Sequence, residues 1–257
     1  MSTHILTTQT GALANRGLTR VLVASYALSA YTVGTAALFW VILAVGGLAP
    51  YGLTSLQTDH SSAAIAINIG LVLIFAVQHT IMARKWFKAA VQRVIPQPIE
   101  RSTYVLAAGI ALAALVYFWQ TVPGVSWAVQ APWAVGVIRL LYILGIAYLL
   151  GSSFVTNHFE LFGLRQAWLY CMGRDYTPVQ FKQKWVYRYS RHPMMLGLLL
   201  ALWASPEMSA TRLVMASLLT CYMFIGIQFE ERSLVKEFGA TYRKYQQEVG
   251  MFFTLKR

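Results

Sequence analysis

Residues 63–82 read AAIAINIGLVLIFAVQHTIM, and Ala83-Arg84-Lys85 follow at once. A helix that crosses the hydrocarbon core of a bilayer needs about 20 apolar residues. This run has that length, ends on a basic pair, and lacks the polar/apolar alternation of a barrel strand. Outward from it lie five more apolar runs: Val21–Leu48 closed by Pro50, Tyr104–Val122 closed by Pro123-Gly124, Ala134–Phe154, Met194–Ala204 stopping at Ser205-Pro206, and Leu213–Phe229 ending at Glu230-Glu231-Arg232. The fold class that follows is all-α, a polytopic transmembrane helical bundle of five to six membrane helices with a cytoplasmic C-terminal helix. The fifth run is too short to cross alone. It is expected to pack as a tilted arm of a tight hairpin with the sixth, turned at Pro206 and Glu207, or to cross only in part.

Composition agrees. Hydrophobic residues make up 57% and charged residues 12%, against about 25% charged in soluble domains. The bilayer is therefore the expected solvent. The net charge of +12 lies in the connections between runs, where basic residues face anionic headgroups. No nucleic-acid motif accompanies it, so no nucleic-acid partner is expected. Arg16 and Arg20, then Arg84, Lys85, Lys88, Arg93 and Arg101, then Arg165, Arg174, Lys182, Lys184, Arg188 and Arg191, then Arg232, Lys236, Arg243, Lys244, Lys256 and Arg257 fall on one side. Only Arg139 and Arg212 fall on the other. The positive-inside rule then places both termini in the cytoplasm, as expected of a bacterial inner-membrane protein. Residues 1–15 are polar and lack the apolar core of a secretory signal. Cys171 and Cys221 are expected at different depths and unpaired.

The connection from Asn157 to His192 divides the chain into a four-helix half, 1–156, and a C-terminal half, 157–257, with the connection and a helical hairpin. Its aromatic content, Phe181 included, suits an ordered interfacial segment. Polar residues crowd one end of nearly every run: Gln78 and His79; Glu100, Arg101 and Ser102; Asn157, His158 and Glu160; Arg191 and His192; Gln228, Glu230 and Glu231. Bundled, they are expected to lie at one depth around a pocket open to the cytoplasm. Ionisable groups inside a membrane need partners or a function.

Two segments carry most of the chemistry. In Tyr187-Arg188-Tyr189-Ser190-Arg191-His192-Pro193-Met194-Met195-Leu196-Gly197, Pro193 suits the first position of a helix. The free N–H groups there, with Arg191 and His192, suit a carboxylate. Gly197, one turn further, leaves room for a ligand or a neighbouring helix. After the hairpin, Glu230 and Glu231 return as acceptors for an ammonium group or ribose hydroxyls. Aromatic faces can hold a sulfonium.

Arg-His-Pro-x-x-x-Gly, a hairpin, Glu-Glu-Arg-x-Leu and Phe-Gly-x-x-Tyr-x-x-Tyr, over Val186 to Tyr245, together resemble the membrane methyltransferase superfamily of isoprenylcysteine carboxyl and phospholipid N-methyltransferases. That pattern usually carries Tyr where this chain has Met195. Gln78-His79-Thr80-x-Met82-Ala83-Arg84 and Glu100-Arg101-Ser102-x-Tyr104 resemble its NnrU-like branch. Thr156-Asn157-His158-Phe159-Glu160-Leu161-Phe162-Gly163-Leu164-Arg165-Gln166 is similar to bacterial methanethiol S-methyltransferases. The resemblance implies S-adenosyl-L-methionine as cofactor, bound by Tyr187, Arg191, His192, Pro193, Gly197, Glu230 and Glu231. It implies a small volatile thiol, methanethiol or hydrogen sulfide, as acceptor, and dimethyl sulfide as the product from methanethiol.

Thiolate attack needs a base or a positive field. His79 and His158 are the candidate bases, with Asn157 or Glu160 orienting the ring and Arg101 or Arg84 lowering the thiol pKa. The three His at 79, 158 and 192 have no metal-ligand spacing, and no metal is expected. The alternatives are a lipid-anchored acceptor, isoprenylcysteine or phospholipid, and a non-enzymatic NnrU-like protein.

Overall fold

The computed structural model describes residues 3–58, 60–177 and 185–254. Phe181, Lys182, Lys184, Lys256, Arg257 and the Arg16 side chain, counted above, lie outside the described residues. Ten α-helices are described: α1 (Thr3–Gly46), α2 (Ser61–Met82), α3 (Lys85–Val91), α4 (Gln97–Tyr117), α5 (Pro132–Thr156), α6 (His158–Leu161), α7 (Leu164–Cys171), α8 (Pro193–Trp203), α9 (Ala210–Phe238) and α10 (Ala240–Glu248). Five of them are long and apolar enough to cross a membrane: the stretch Gly17–Gly46 of α1, α2, α4, α5 and α9. Dozens of Leu, Ile, Val and Phe side chains on their outer faces are exposed, as lipid-facing residues must be. The protein is a polytopic helical membrane protein.

Local sequence sets the helix starts. Pro stands in the first turn of α4, α5 and α8, where its missing N–H has no helical partner to lose. The Ser209 hydroxyl caps α9 by accepting from the Arg212 N–H. At the end of the bundle where α8 stops, β1 (Val125–Ala128) pairs antiparallel with β2 (Glu207–Ser209), with Ala128 opposite Glu207 and Val125 opposite Ser209. Glu207 is therefore a strand residue, and the reversal before it is made by Ala204–Pro206. The apolar core of this half gathers Val41, Ala44, Leu115, Trp119 and Met215.

Two helix pairs cross on glycine. A Cβ on Gly109 of α4 would lie 2.8 Å from the Gly34 Cα of α1, and one on Gly197 of α8 would lie 2.5 Å from the Leu149 nitrogen and 2.6 Å from the Gly145 carbonyl oxygen of α5. Small residues let helix backbones approach in lipid, where burial of apolar area gives little drive to associate. The short helix thus packs along α5 and meets α9 far less. The expected tight hairpin of α8 with the last long helix is not what forms, because the glycine face of α8 points to α5. Gly197→Val is expected to force α5 and α8 apart at a cost of about 2–3 kcal/mol, lowering the apparent melting point in detergent by roughly 5–10 °C. An unchanged melting curve would refute this account of the crossing.

Candidate active site

The length mismatch between α8 and α9 builds the site. The start of α8 meets Glu230 and Glu231, seven residues before the end of α9. At 1.5 Å per residue α9 therefore projects about 10 Å beyond that start. Gly239, at φ +56°, turns the chain back, and α10 and the tail fold over the recess. The backbone N–H groups of Arg191 and His192 donate to the carbonyls of Gly250 and Met251, 3.0 and 3.1 Å away. Thr254 Oγ1 donates to the Tyr189 carbonyl at 2.7 Å. Tyr245 donates to the Tyr187 carbonyl at 2.6 Å, and burial pushes its phenol above the usual range, so it remains a donor.

The two acids of the pair have different surroundings. Glu231 is buried and saturated: Arg191 Nε donates to its Oε1 at 2.7 Å, His192 Nε2 lies 3.1 Å from the same oxygen, and Gln246 donates to Oε2 at 2.9 Å. Arg191 Nη1 donates to the carbonyls of Gln246 and Val249. Glu230 has a side chain 51% exposed, and among the described residues its close charge partner is His192, with Nδ1 at 3.6 Å. Arg191 and Glu231 are thus a closed internal pair, whereas Glu230 is open. A carboxylate arriving at α8 would meet the first-turn N–H groups of Met194 and Met195, which no helical carbonyl reaches, rather than the Arg191 guanidinium.

A polar stripe on α5 faces this recess. Tyr148, Ser152 and Thr156 recur at four-residue spacing and so share a helix face. The Thr156 hydroxyl lies 2.6 Å from that of Tyr187. Tyr187 is close enough to Tyr148 and Glu230 to feel their charges, and burial raises its phenol pKa. Ser152 Oγ is buried with no hydrogen-bond partner among the described residues, an atom that needs an explanation. An open carboxylate, unpaired first-turn N–H groups, phenols and an orphaned hydroxyl fit an amino acid–nucleoside cofactor. Pro193 is buried as the first residue of α8 and sets its start. Gly197 faces α5, so it serves the neighbouring helix and not a ligand.

The two candidate bases, His158 and His79, stand in separate surroundings. His158, buried in α6, has both ring nitrogens engaged: Nδ1 lies 2.9 Å from Ser153 Oγ and Nε2 lies 3.0 Å from the Tyr31 hydroxyl. Phe154 stacks on it at 4.3 Å, and Phe159 and Phe162 close the cage. Burial holds its pKa below the usual 6.5. Asn157 and Glu160 do not orient the ring. Asn157, at φ 112°, caps α6 by accepting the Glu160 N–H at 3.3 Å. The Glu160 carboxylate takes Arg165 at 2.9 Å and the Tyr176 hydroxyl at 2.7 Å.

His79, on α2, is stacked by Phe75 at 5.3 Å. The Tyr104 hydroxyl of α4 lies 3.0 Å from Nδ1 and 2.9 Å from Nε2. One hydroxyl can engage one of these nitrogens at a time, which leaves the other for a ligand. Arg101 lies over the Tyr104 ring at 5.0 Å and donates to the Leu161 carbonyl at 3.0 Å, tying this group to α6. Arg84 instead lies over Phe229 at 4.9 Å. The polar ends therefore form three neighbourhoods rather than one layer. His79 packs against Tyr222, eight residues before Glu230 on α9, which is about 12 Å deeper along the helix. Among the described residues no group of three His, Cys, Asp or Glu can hold a metal ion.

The sequence profile of the NnrU protein family matches residues 67–246. The chain is 42% identical to the methanethiol S-methyltransferase of Mycobacterium tuberculosis over 90% of its own length and 96% of that protein. It is 38% identical to the methanethiol S-methyltransferase of Crocosphaera subtropica over 93% of its length and 94% of that protein. Nurim of Sus scrofa is 34% identical over 71% of the chain and 72% of nurim. No solved structure matches. With more than half its length under one family profile and relatives aligned almost end to end, the chain belongs to the NnrU protein family.

Proposed function

We propose that this membrane protein transfers the methyl group of S-adenosylmethionine to methanethiol, giving dimethyl sulfide and S-adenosylhomocysteine. The observation that carries the reading is the near-full-length likeness to proteins named methanethiol S-methyltransferase. The polar groups gathered beside the start of α8 support placing it there. When bound there, the cofactor's sulfonium supplies an electrophilic methyl group. Glu230 and the Met194 and Met195 N–H groups hold its amino-acid end, Tyr187 and Ser152 offer hydroxyls, and the Arg191–Glu231–His192 group fixes the wall. On transfer the acceptor sulfur would bond the methyl carbon as the sulfonium–carbon bond broke, and the thiol proton would have to leave. His79 takes it on this reading, because it has a nitrogen to spare and His158 has none. Arg101 lies behind Tyr104 as a source of positive field. Both termini face the cytoplasm, and the acceptor, small and apolar, reaches the site through the lipid phase.

Purified protein in detergent, given S-adenosylmethionine and methanethiol, is expected to release dimethyl sulfide, read by gas chromatography of the headspace. Cofactor binding without product, with methanethiol or hydrogen sulfide, would overturn the acceptor. Absence of cofactor binding would overturn the reaction and favour a non-enzymatic role.

A further inference from the structure

The bundle end opposite the recess holds Arg139 and Arg212, the two basic residues on that side of the chain. Both line one cavity of about 360 Å³, with Gly46, Gly47, Gln130, Tyr142 and Glu207 among its walls. Arg212 is fixed by neutral groups: its Nη1 donates to Ser205 Oγ at 2.8 Å and to the Glu207 carbonyl at 3.1 Å. Its Nη2 lies over Gly47, where φ is +71° and a Cβ would clash with that nitrogen. The Gly47 backbone thus gives the guanidinium access to the cavity. Arg139 is exposed on α5, one turn before Tyr142 on the same face. The Tyr142 hydroxyl is spent on the Ile42 carbonyl.

Neither arginine forms an ion pair among the described residues, although Glu207 is among the residues of the same cavity. One guanidinium held by neutral partners and a second, exposed one on the same cavity leave positive charge unmatched at this end of the bundle. Arg offers planar, paired donors that suit a phosphate. Arg139 stands seven residues inside the start of α5, about 10 Å along it. Trp133, 76% exposed at that start, marks a headgroup level.

We infer that Arg139 and Arg212 form a phosphate-binding site at this end of the bundle, separate from the proposed methyl-transfer site. The ligand is a phosphate oxyanion, carried on a phospholipid headgroup or free. Native mass spectrometry of the purified chain tests it, with dioleoylphosphatidylglycerol, with dioleoylglycerol lacking the phosphate, and with added inorganic phosphate. Wild type is expected to retain the phospholipid and not the dioleoylglycerol. Arg139→Gln, an exposed change that keeps the Arg212 network, is expected to weaken retention roughly fivefold, the worth of one arginine at a headgroup. Displacement of the lipid by inorganic phosphate identifies the free anion as a ligand, and resistance identifies the lipid. Equal retention of dioleoylglycerol, or unchanged retention in Arg139→Gln, overturns the site. Neither result touches dimethyl sulfide release, so the two proposals fail separately.

Discussion

His79→Ala is expected to cut dimethyl sulfide formation by about 10²–10⁴-fold, the usual worth of a positioned general base, and to leave binding of S-adenosylhomocysteine close to wild type. His79 contacts Phe75, Tyr104 and Tyr222 and none of the residues around Glu230. His158→Ala should behave in the opposite way. That ring fills a cage of three Phe side chains and takes two hydroxyl partners. Removing it leaves a cavity and takes a partner from the Tyr31 hydroxyl, while Ser153 keeps its bond to the Leu150 carbonyl, a loss of about 2–4 kcal/mol in stability, with turnover per folded molecule retained. Acidification provides an independent check on His158. Its folded pKa is depressed below 6.5 by burial, so the unfolded chain binds the proton first as pH falls. Its contribution to stability is present above pH 6.5 and is lost as pH drops through the depressed folded value. The melting point of wild type should therefore fall further on acidification than that of His158→Ala. Turnover lost in His158→Ala and kept in His79→Ala would exchange the two roles.

The bundle was legible because twenty-residue apolar runs and basic connections are properties of single segments. All five long helices stand where such runs occur, and α8 is as short as its run. What α8 packs against was not read, although Gly145 and Gly197 each interrupt an apolar run, which is the mark of a close crossing in lipid. That the segment of Arg191 and His192 meets that of Glu230 and Glu231 was legible in the order of the charges, but as two sets of ligand-binding groups; that Arg191 and Glu231 pair with each other was not. The division of labour between the two acids was not, since it depends on Gln246 and on the backbone carbonyls of residues 246–251, and a carbonyl carries no residue signature. The α5 stripe of Tyr148, Ser152 and Thr156 had a readable signal in its four-residue spacing. Tyr31, which holds His158 from 127 positions away, had none. Asn157 and Glu160 looked like partners of His158 because they flank it. A short helix instead turns both away, one to cap it and one to Arg165 and Tyr176.

Glu230→Gln and Glu231→Ala should separate binding from architecture. Glu230 is half exposed and its close charge partner among the described residues lies at 3.6 Å, so the isosteric amide disturbs no closed network. Loss of a charged hydrogen bond to the cofactor's ammonium or ribose is expected to weaken S-adenosylhomocysteine by about 1.5–3 kcal/mol, roughly 10- to 100-fold, with the melting curve unchanged. Calorimetry in detergent reads the first effect and a thermal melt the second. Glu231→Ala acts on the wall. Arg191 and Glu231 are 10% and 12% exposed at the side chain, and removing the acid strands the guanidinium beside its two carbonyl acceptors with its charge unpaired. Breaking such a buried pair costs about 3–5 kcal/mol. The consequence should spread along the chain, because Gln246 loses its acceptor and the tail that clasps residues 189–192 loses an anchor. Glu231→Ala is therefore expected to melt well below wild type and to expose the α10 segment to protease before the long helices. If Glu230→Gln bound S-adenosylhomocysteine as wild type does, the open acid would not face the cofactor and the recess would lose its assignment. If Glu231→Ala melted like wild type, the arginine pair would not be what holds the C-terminal segment over it.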